Sequence, residues 1–315
     1  MTSLLSVVMP THNRSTQLDK AARSVLDQAG AEIELVIVDD ASSDDTPAVT
    51  ERLAGDRRVR VVRNDESIGP GAARNKGIAA TSGDLLGFCD DDDAWLPGAA
   101  GTLVEYLAAH ADLGVVTSWH QVVHDLTGRT VAYRGPLVFG AEDLLWFNVV
   151  ALPFGIIRRS HFADDLSFDE KLPPCEDWDL WLRCAQLRPI AAVPQVLYEY
   201  HQHGGERVTK EGSGDRGGRQ FFVDKHEAEM TPACRAYHRA SIAHQAAGRG
   251  ALLRELAASA RSDPLASGFA AAVLATADTA AAVGIRRGDP ALPSRAMLRL
   301  LAHAPGTSHP SEVAR

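Results

Sequence analysis

Through the first 120 residues, short apolar runs rich in β-branched side chains alternate with stretches of helical spacing, and that alternation leaves few architectures open. Leu4–Met9, Ile33–Val38, Val59–Val62, Leu85–Cys89 and Leu113–Thr117 read as strands, nearly continuous in apolar character as parallel strands covered on both faces tend to be. Ser15–Gln28, Thr46–Ala54, Gly71–Ala80 and Pro97–Ala109 read as helices, and Thr46-Pro47 is a good helix start. The order predicts an α/β fold: a mostly parallel central sheet flanked by helices, with ligands gathering at the carboxyl ends of the strands. The polar clusters fall at those ends. Thr11-His12-Asn13-Arg14 follows the first strand, Asp39-Asp40 the second, and Asp90-Asp91-Asp92-Asp93 the fourth.

After residue 120 the pattern becomes mixed. Gln121–Val123 and Thr130–Tyr133 read as strands flanking a turn at Thr127-Gly128; a helix over Glu176–Gln186 and a strand over Ile190–Tyr200 follow. Residues 204–218, rich in Gly and charge, predict a mobile loop or linker, and from about 219 the chain reads as Ala-rich helices broken at Asp263-Pro264 and Gly288-Asp289-Pro290. Two domains are expected: residues 1–215, and a C-terminal α-helical extension over 216–315. Charge divides the same way, with 19 basic and 33 acidic residues in the first part against 13 and 8 in the second. An acidic front speaks against nucleic acid as a ligand, whereas a basic tail leaves room for an anionic partner. Cys89, Cys175, Cys184 and Cys234 lack the paired short spacings of a zinc site or a disulfide framework. Leu4–Met9 begins without a basic leader, and the apolar stretch 269–285 is mostly Ala with Asp278 inside it, so a cytoplasmic protein is expected.

Four consecutive carboxylates at a strand end repel one another, which makes most sense beside a hard divalent cation, Mg²⁺ or Mn²⁺, of the kind held by one or two carboxylates together with substrate phosphates. The competing reading is a solvated acidic turn. Asp40, close to its strand end, is a ligand candidate, while Asp44 and Asp45 suit helix capping. Gly69-Pro70-Gly71 lacks the third glycine of a dinucleotide fingerprint and instead opens a helix that carries Arg74 toward a phosphate or onto a solvated face. Asp177 precedes the apolar stripe Leu180, Trp181, Cys184 and Leu187, so it is either an N-terminal capping charge or a general base aimed into a pocket. His201 and His203 share a strand face and could help bind a metal or a diphosphate.

Together and in this order, these motifs resemble the family 2 inverting glycosyltransferases with the GT-A fold, over roughly residues 4–210. The resemblance implies that Pro10, Thr11, Asn13 and Arg14 lie beside the nucleoside, that Asp40 pairs with its base, and that Arg74 and Asp91 lie near the nucleotide. It further implies that Asp90 and Asp92 hold Mn²⁺ or Mg²⁺, with Asp92 three residues before Trp95 as in the family pattern. His203 would stand near the metal, and Asp177 would be the catalytic base. The implied partners are a nucleoside diphosphate sugar, taken as a UDP-sugar, and a hydroxyl-bearing acceptor: a glycan, a lipid-linked sugar or a small molecule. A sugar-nucleotide pyrophosphorylase fits less well, because Pro10–Arg14 contains no glycine to cradle phosphates. A non-catalytic nucleotide-sugar-binding protein is the third reading. In the tail, residues 286–303 combine four arginines with apolar side chains, which suits packing against the catalytic domain or a second subunit, making a homo-oligomer, or lying on the inner membrane face.

Overall fold

The computed structural model describes residues 3–134, 137–148, 150, 155–162, 166–172, 175–202 and 214–263. They form two compact units, one drawn from residues 1–140, 150–171 and 176–206, the other from 141–149, 172–175 and 207 onward. The second unit thus begins before residue 216 and takes in two segments from earlier in the chain.

In the first unit, β1 (Leu4–Thr11), β2 (Glu32–Asp39), β3 (Val59–Arg63) and β4 (Leu85–Phe88) pair in parallel in the spatial order β3-β2-β1-β4. The helices α1 (Leu18–Leu26), α2 (Thr46–Leu53), α3 (Pro70–Ala80) and α4 (Ala99–Ala109) alternate with them, as the sequence predicts. Each buries one stripe; α1 covers the sheet with Leu18, Ala21, Ala22, Val25 and Leu26. The chain winds outward from β1 to β3 and then returns to the other side of β1, so the strand order reverses between β1 and β4. Such a reversal opens a crevice at the carboxyl ends of the two strands.

Beyond β4 the sheet becomes mixed. β9 (Gly155–Arg158) is antiparallel to both β4 and β6 (Val115–His124), and β10 (Ile190–Gln202) runs parallel to β6. β7 (Arg129–Tyr133) closes the expected hairpin with β6, while the two-residue strands β5 (Ala94–Trp95) and β8 (Val138–Phe139) pair antiparallel with β10. Helix α6 (Glu176–Leu187) packs on this half through Trp181, which is fully buried. Its stripe stops at Cys184: Leu187, expected inward, is exposed, and Asp179 is buried instead, paired with Arg183 at 2.9 Å. A Cβ on Gly155 would stand 2.6 Å from the Trp181 ring. Gly155→Ala is therefore expected to destabilise the first unit by about 1–3 kcal/mol, the usual penalty for overpacking, read as a lower denaturation midpoint.

In the second unit, α8 (Pro232–Ser262) packs against both α5 (Ala141–Trp146) and α7 (Gly214–His226), and it is broken at Ala247-Gly248, where Gly248 has φ +73°. Residues 214–218 are helical, not the loop expected from their glycines. Thr231 caps α8 by accepting from Cys234 N, ahead of Pro232. Trp146 and Phe147 pack around Tyr237 and are core residues of this unit. His238 lies fully buried among them, with Nε2 2.8 Å from Leu145 O. Burial, reinforced by the charge of Arg219, pushes its pKa down to about 3. Folded His238 stays neutral where the unfolded chain takes up a proton, so its contribution to stability is present above the unfolded value near 6.5 and is lost as pH falls toward 3. A slope of about 1.4 kcal/mol per pH unit below that value is the expected contribution, checked by amide exchange of α8 between pH 7 and 5. Asp278 and the tail residues 286–315 lie outside the described residues. No helix among the described residues is long and apolar enough to cross a membrane, and all four cysteines are free thiols.

Candidate active site

The loops that follow β1, β2, β3 and β4 meet at one edge of the sheet. Their backbones continue the ladders: Asp40 N donates to Thr11 O, Asn64 N to Asp39 O and Cys89 N to Val8 O. The first two loops are then laced together. Asn13, in the left-handed region at φ +53°, accepts through Oδ1 from Ser43 N and Asp44 N, while its backbone N–H donates to Ser42 Oγ. Arg14 N donates to Thr46 Oγ1. Asp44 accepts from Thr46 N, the first amide of α2, at 2.9 Å, whereas Asp45, at the N-cap position itself, makes no side-chain capping bond; burial opposes the Asp44 charge, but the bonds from Thr46 and Ser15 hold its pKa down to about 2.

Asp40 is buried, and its carboxylate is engaged by the third loop. Asn64 Nδ2 donates to it at 2.7 Å, Ser67 Oγ at 2.9 Å, and the amides of Ile68 and Gly69 at 3.0 and 2.9 Å. Burial alone would raise its pKa, yet these donors together hold it below the usual carboxylate range. A carboxylate has about four acceptor sites, and four groups already use them. A nucleobase N–H would have to replace one of these donors.

The four aspartates of the tetrad have different partners. Asp93 is buried and accepts from His201 N at 2.9 Å, tying the loop after β4 to β10. Asp91 is buried as well, and burial, reinforced by the Asp92 charge, pushes it up to about 8 while Thr11 and Arg14 pull the other way. Asp90 accepts from Arg74 Nη2 at 2.7 Å. Asp92 is partly exposed, 3.8 Å from the Arg14 guanidinium.

Arg74 is turned inward. Its guanidinium is buried, and the second terminal nitrogen, Nη1, donates to Glu176 Oε1 at 2.8 Å. The chain has folded this arginine inward, where two carboxylates compensate its charge. Through Glu176 it brings the start of α6, and with it the half-buried Asp177, to the tetrad's side of the sheet. His201 faces Asp125 at 2.9 Å and Glu199 at 3.4 Å. His203 lies outside the described residues.

The donor set fits a hard divalent cation. The tetrad offers only carboxylate oxygens, and among the described residues no three His, Cys, Asp or Glu side chains form a ready cage. Mg²⁺ and Mn²⁺ need none, because one or two carboxylates suffice when phosphate oxygens and water complete the shell. Sequence reasoning missed Glu176 as the partner of Arg74 and the donors Asn64, Ser67, Ile68 and Gly69. Their signals are ordinary loop and helix residues whose roles appear only when the strands bring them together.

A family model described as glycosyl transferase family 2 matches residues 6–162. Over 103 residues the chain is 40% identical to a GalNAc(5)-diNAcBac-PP-undecaprenol beta-1,3-glucosyltransferase of Campylobacter jejuni, a match covering 32% of this chain and 33% of that protein. The matched segment thus spans about a third of that relative's length. The crystal structure of S. aureus TarS 1-349 in complex with UDP-GlcNAc superposes with a TM-score of 0.61 at 21% identity, covering 76% of this chain and 72% of that one. Mannosyltransferase PcManGT from Pyrobaculum calidifontis, in complex with GDP-Man and Mn2+, superposes with a TM-score of 0.54 at 19% identity, covering 96% and 86%. The two structural likenesses extend to the fold.

Proposed function

Because residues 6–162 belong to glycosyl transferase family 2, we propose that this glycosyltransferase moves a sugar from a nucleoside diphosphate donor to an acceptor hydroxyl, with inversion at the anomeric carbon and with a divalent cation. The observation that carries the proposal is the meeting of the tetrad, at the β1/β4 crevice, with the start of α6 through Arg74. One end of a donor would be held there by its diphosphate, and a carboxylate on α6 would face its sugar.

In this reading Asp92, helped by Asp90, holds Mn²⁺ or Mg²⁺, and the bound cation would neutralise charge growing on the leaving diphosphate. Arg14, already 3.8 Å from Asp92, adds a fixed positive charge on the same side. The nucleoside lies along Pro10, Thr11 and Asn13, and its base N–H takes the place of one donor on Asp40. Asp91, buried between Asp90 and Asp92, lies beside the nucleotide. Asp177 removes the proton of the acceptor hydroxyl as that oxygen attacks the face of C1 opposite the diphosphate, so no covalent intermediate is required. UDP is the proposed nucleotide: the TarS complex holds UDP-GlcNAc, whereas PcManGT holds GDP-Man. For the acceptor we propose a glycan, lipid-linked by analogy with the undecaprenol-linked substrate named for the Campylobacter relative, with the protein working in the cytoplasm at the membrane face.

Thermal stabilisation by a panel of nucleotide sugars, each with Mn²⁺, tests the reading. A UDP-sugar present at about a hundred times its dissociation constant should stabilise the protein by about 2.7 kcal/mol, and GDP-sugars by far less. Equal stabilisation by every nucleotide, or by none, would contradict it.

A further inference from the structure

Arg74 is placed to do something other than hold a ligand. Its two terminal nitrogens join residues 16 and 102 positions away in the chain, Asp90 in the loop after β4 and Glu176 at the first position of α6. One face of the guanidinium is covered by Phe168, whose ring centroid is 5.5 Å from Cζ, and Phe168 is itself met edge-on by Phe88. The next residue of α3, Asn75, fastens the Phe168 backbone from both sides: Phe168 N donates to Asn75 Oδ1 at 2.7 Å, and Asn75 Nδ2 donates to Phe168 O at 2.9 Å. Both carboxylate contacts, the ring and the backbone bonds therefore come from one turn of α3.

A guanidinium is suited to this position because its planar fork can serve two carboxylates at once, each with its own N–H, and stack on an aromatic ring. An ammonium would be a single point charge and would leave one of the two carboxylates without its directed bond. Removing the cation altogether would leave two carboxylates facing each other with little water, which is strongly unfavourable.

We propose that Arg74 is a positioning residue that fixes the register between the tetrad loop and the start of α6. Asp90 and Glu176 are clamped, and the residues that act on substrate, Asp92 and Asp177, are their near neighbours in sequence. Arg74 thereby sets the distance between the diphosphate site and the base without touching the nucleotide. The inference rests on the preceding reading for the roles of Asp92 and Asp177; the clamp is a matter of geometry.

The test uses Arg74→Lys, Glu176→Gln and the double variant in the full chain. Arg74→Lys is expected to lower kcat by about 30-fold or more, with the dissociation constant of UDP in Mn²⁺ changed by less than about threefold, the pattern of lost alignment and not of lost binding. Because one clamp is broken in either case, Glu176→Gln added to Arg74→Lys should cost less than about a further threefold. Hydrogen exchange reads the clamp without turnover: Arg74→Lys should speed exchange of amides in both 90–93 and 177–182 by about tenfold. UDP affinity lost with kcat kept would overturn the proposal in favour of a nucleotide contact. A lower melting temperature with both constants unchanged, or faster exchange on one side only, would overturn it in favour of a purely structural role. Were the wild type to turn over no donor, the function reading would fail while the exchange result still decided this one. Should Arg74→Lys not fold, Glu176→Gln carries the same measurements.

Discussion

Asp92→Asn is expected to abolish transfer while leaving the melting temperature within a few degrees of wild type, and EDTA should have the same effect on the unaltered protein. Asn is isosteric and can still accept a hydrogen bond through its carbonyl, so the loop loses charge and little shape. What it cannot do is contribute a full negative charge to a divalent cation. Asp90 does not replace it, since Arg74 holds that carboxylate at 2.7 Å, and Asp93 is occupied by the His201 amide. Two consequences separate this outcome from simple damage. UDP affinity measured in EDTA should be the same for wild type and variant, and the difference should open only when Mn²⁺ is added. In addition, removing one carboxylate lowers the repulsion that Asp92 exerts on the buried Asp91, so the melting temperature should not fall. The check is a thermal melt run beside the activity assay.

Asp177→Asn has the second large effect. The substitution preserves size and the hydrogen bonding of a helix start but provides no basic lone pair of comparable strength, so turnover should fall by about 10²–10⁴-fold, the range associated with a positioned general base. Donor affinity should be nearly unchanged, because the base acts on the acceptor. A fall confined to donor affinity would reassign Asp177 to helix capping or nucleotide contact. The pair of variants thereby divides the site: one residue answers to metal and diphosphate, the other to the acceptor proton.

The parallel half of the sheet is legible in the chain because its strands are covered on both faces. A run such as Leu35–Val38 has no solvent side, so it is apolar at every position, and the helices between such runs carry their own stripe. The antiparallel half is less so. β9 is four residues long, and its place between β4 and β6 depends on partners distant in sequence. The two-residue strands β5 and β8 have no periodicity to read. The helical reading of the tail was right in kind for the described residues, yet α5, which completes that unit, comes from residues 141–146, where nothing local separates it from a loop.

The site shows the same division. That carboxylates gather at the strand ends is plain from the order of residues, since the topology of an alternating β-α chain puts those ends on one edge. How the four aspartates share the work is not, because His201, Arg74, Thr11 and Arg14 are the neighbours that separate them, and they arrive from β10, α3, the end of β1 and the loop after it. The partners of Arg74 are hidden for the same reason. A charged residue on the first turns of a helix that opens at a Gly-Pro-Gly looks like a ligand for phosphate, and only the arrival of Glu176, 102 residues later, turns it inward. Asp40 is a milder case: its place at the end of β2 is visible, but its saturation by Asn64, Ser67, Ile68 and Gly69 is a property of the folded third loop.

The most direct test of the account is the release of UDP from a matching UDP-sugar by the wild-type protein, followed with Mn²⁺ present and again after EDTA. The account predicts release that depends on added Mn²⁺, is absent in EDTA and returns when the cation is restored, with Asp177→Asn binding the donor while releasing UDP at no more than about a hundredth of the wild-type rate. Release at the same rate in EDTA, or an undiminished rate in Asp177→Asn, would contradict it.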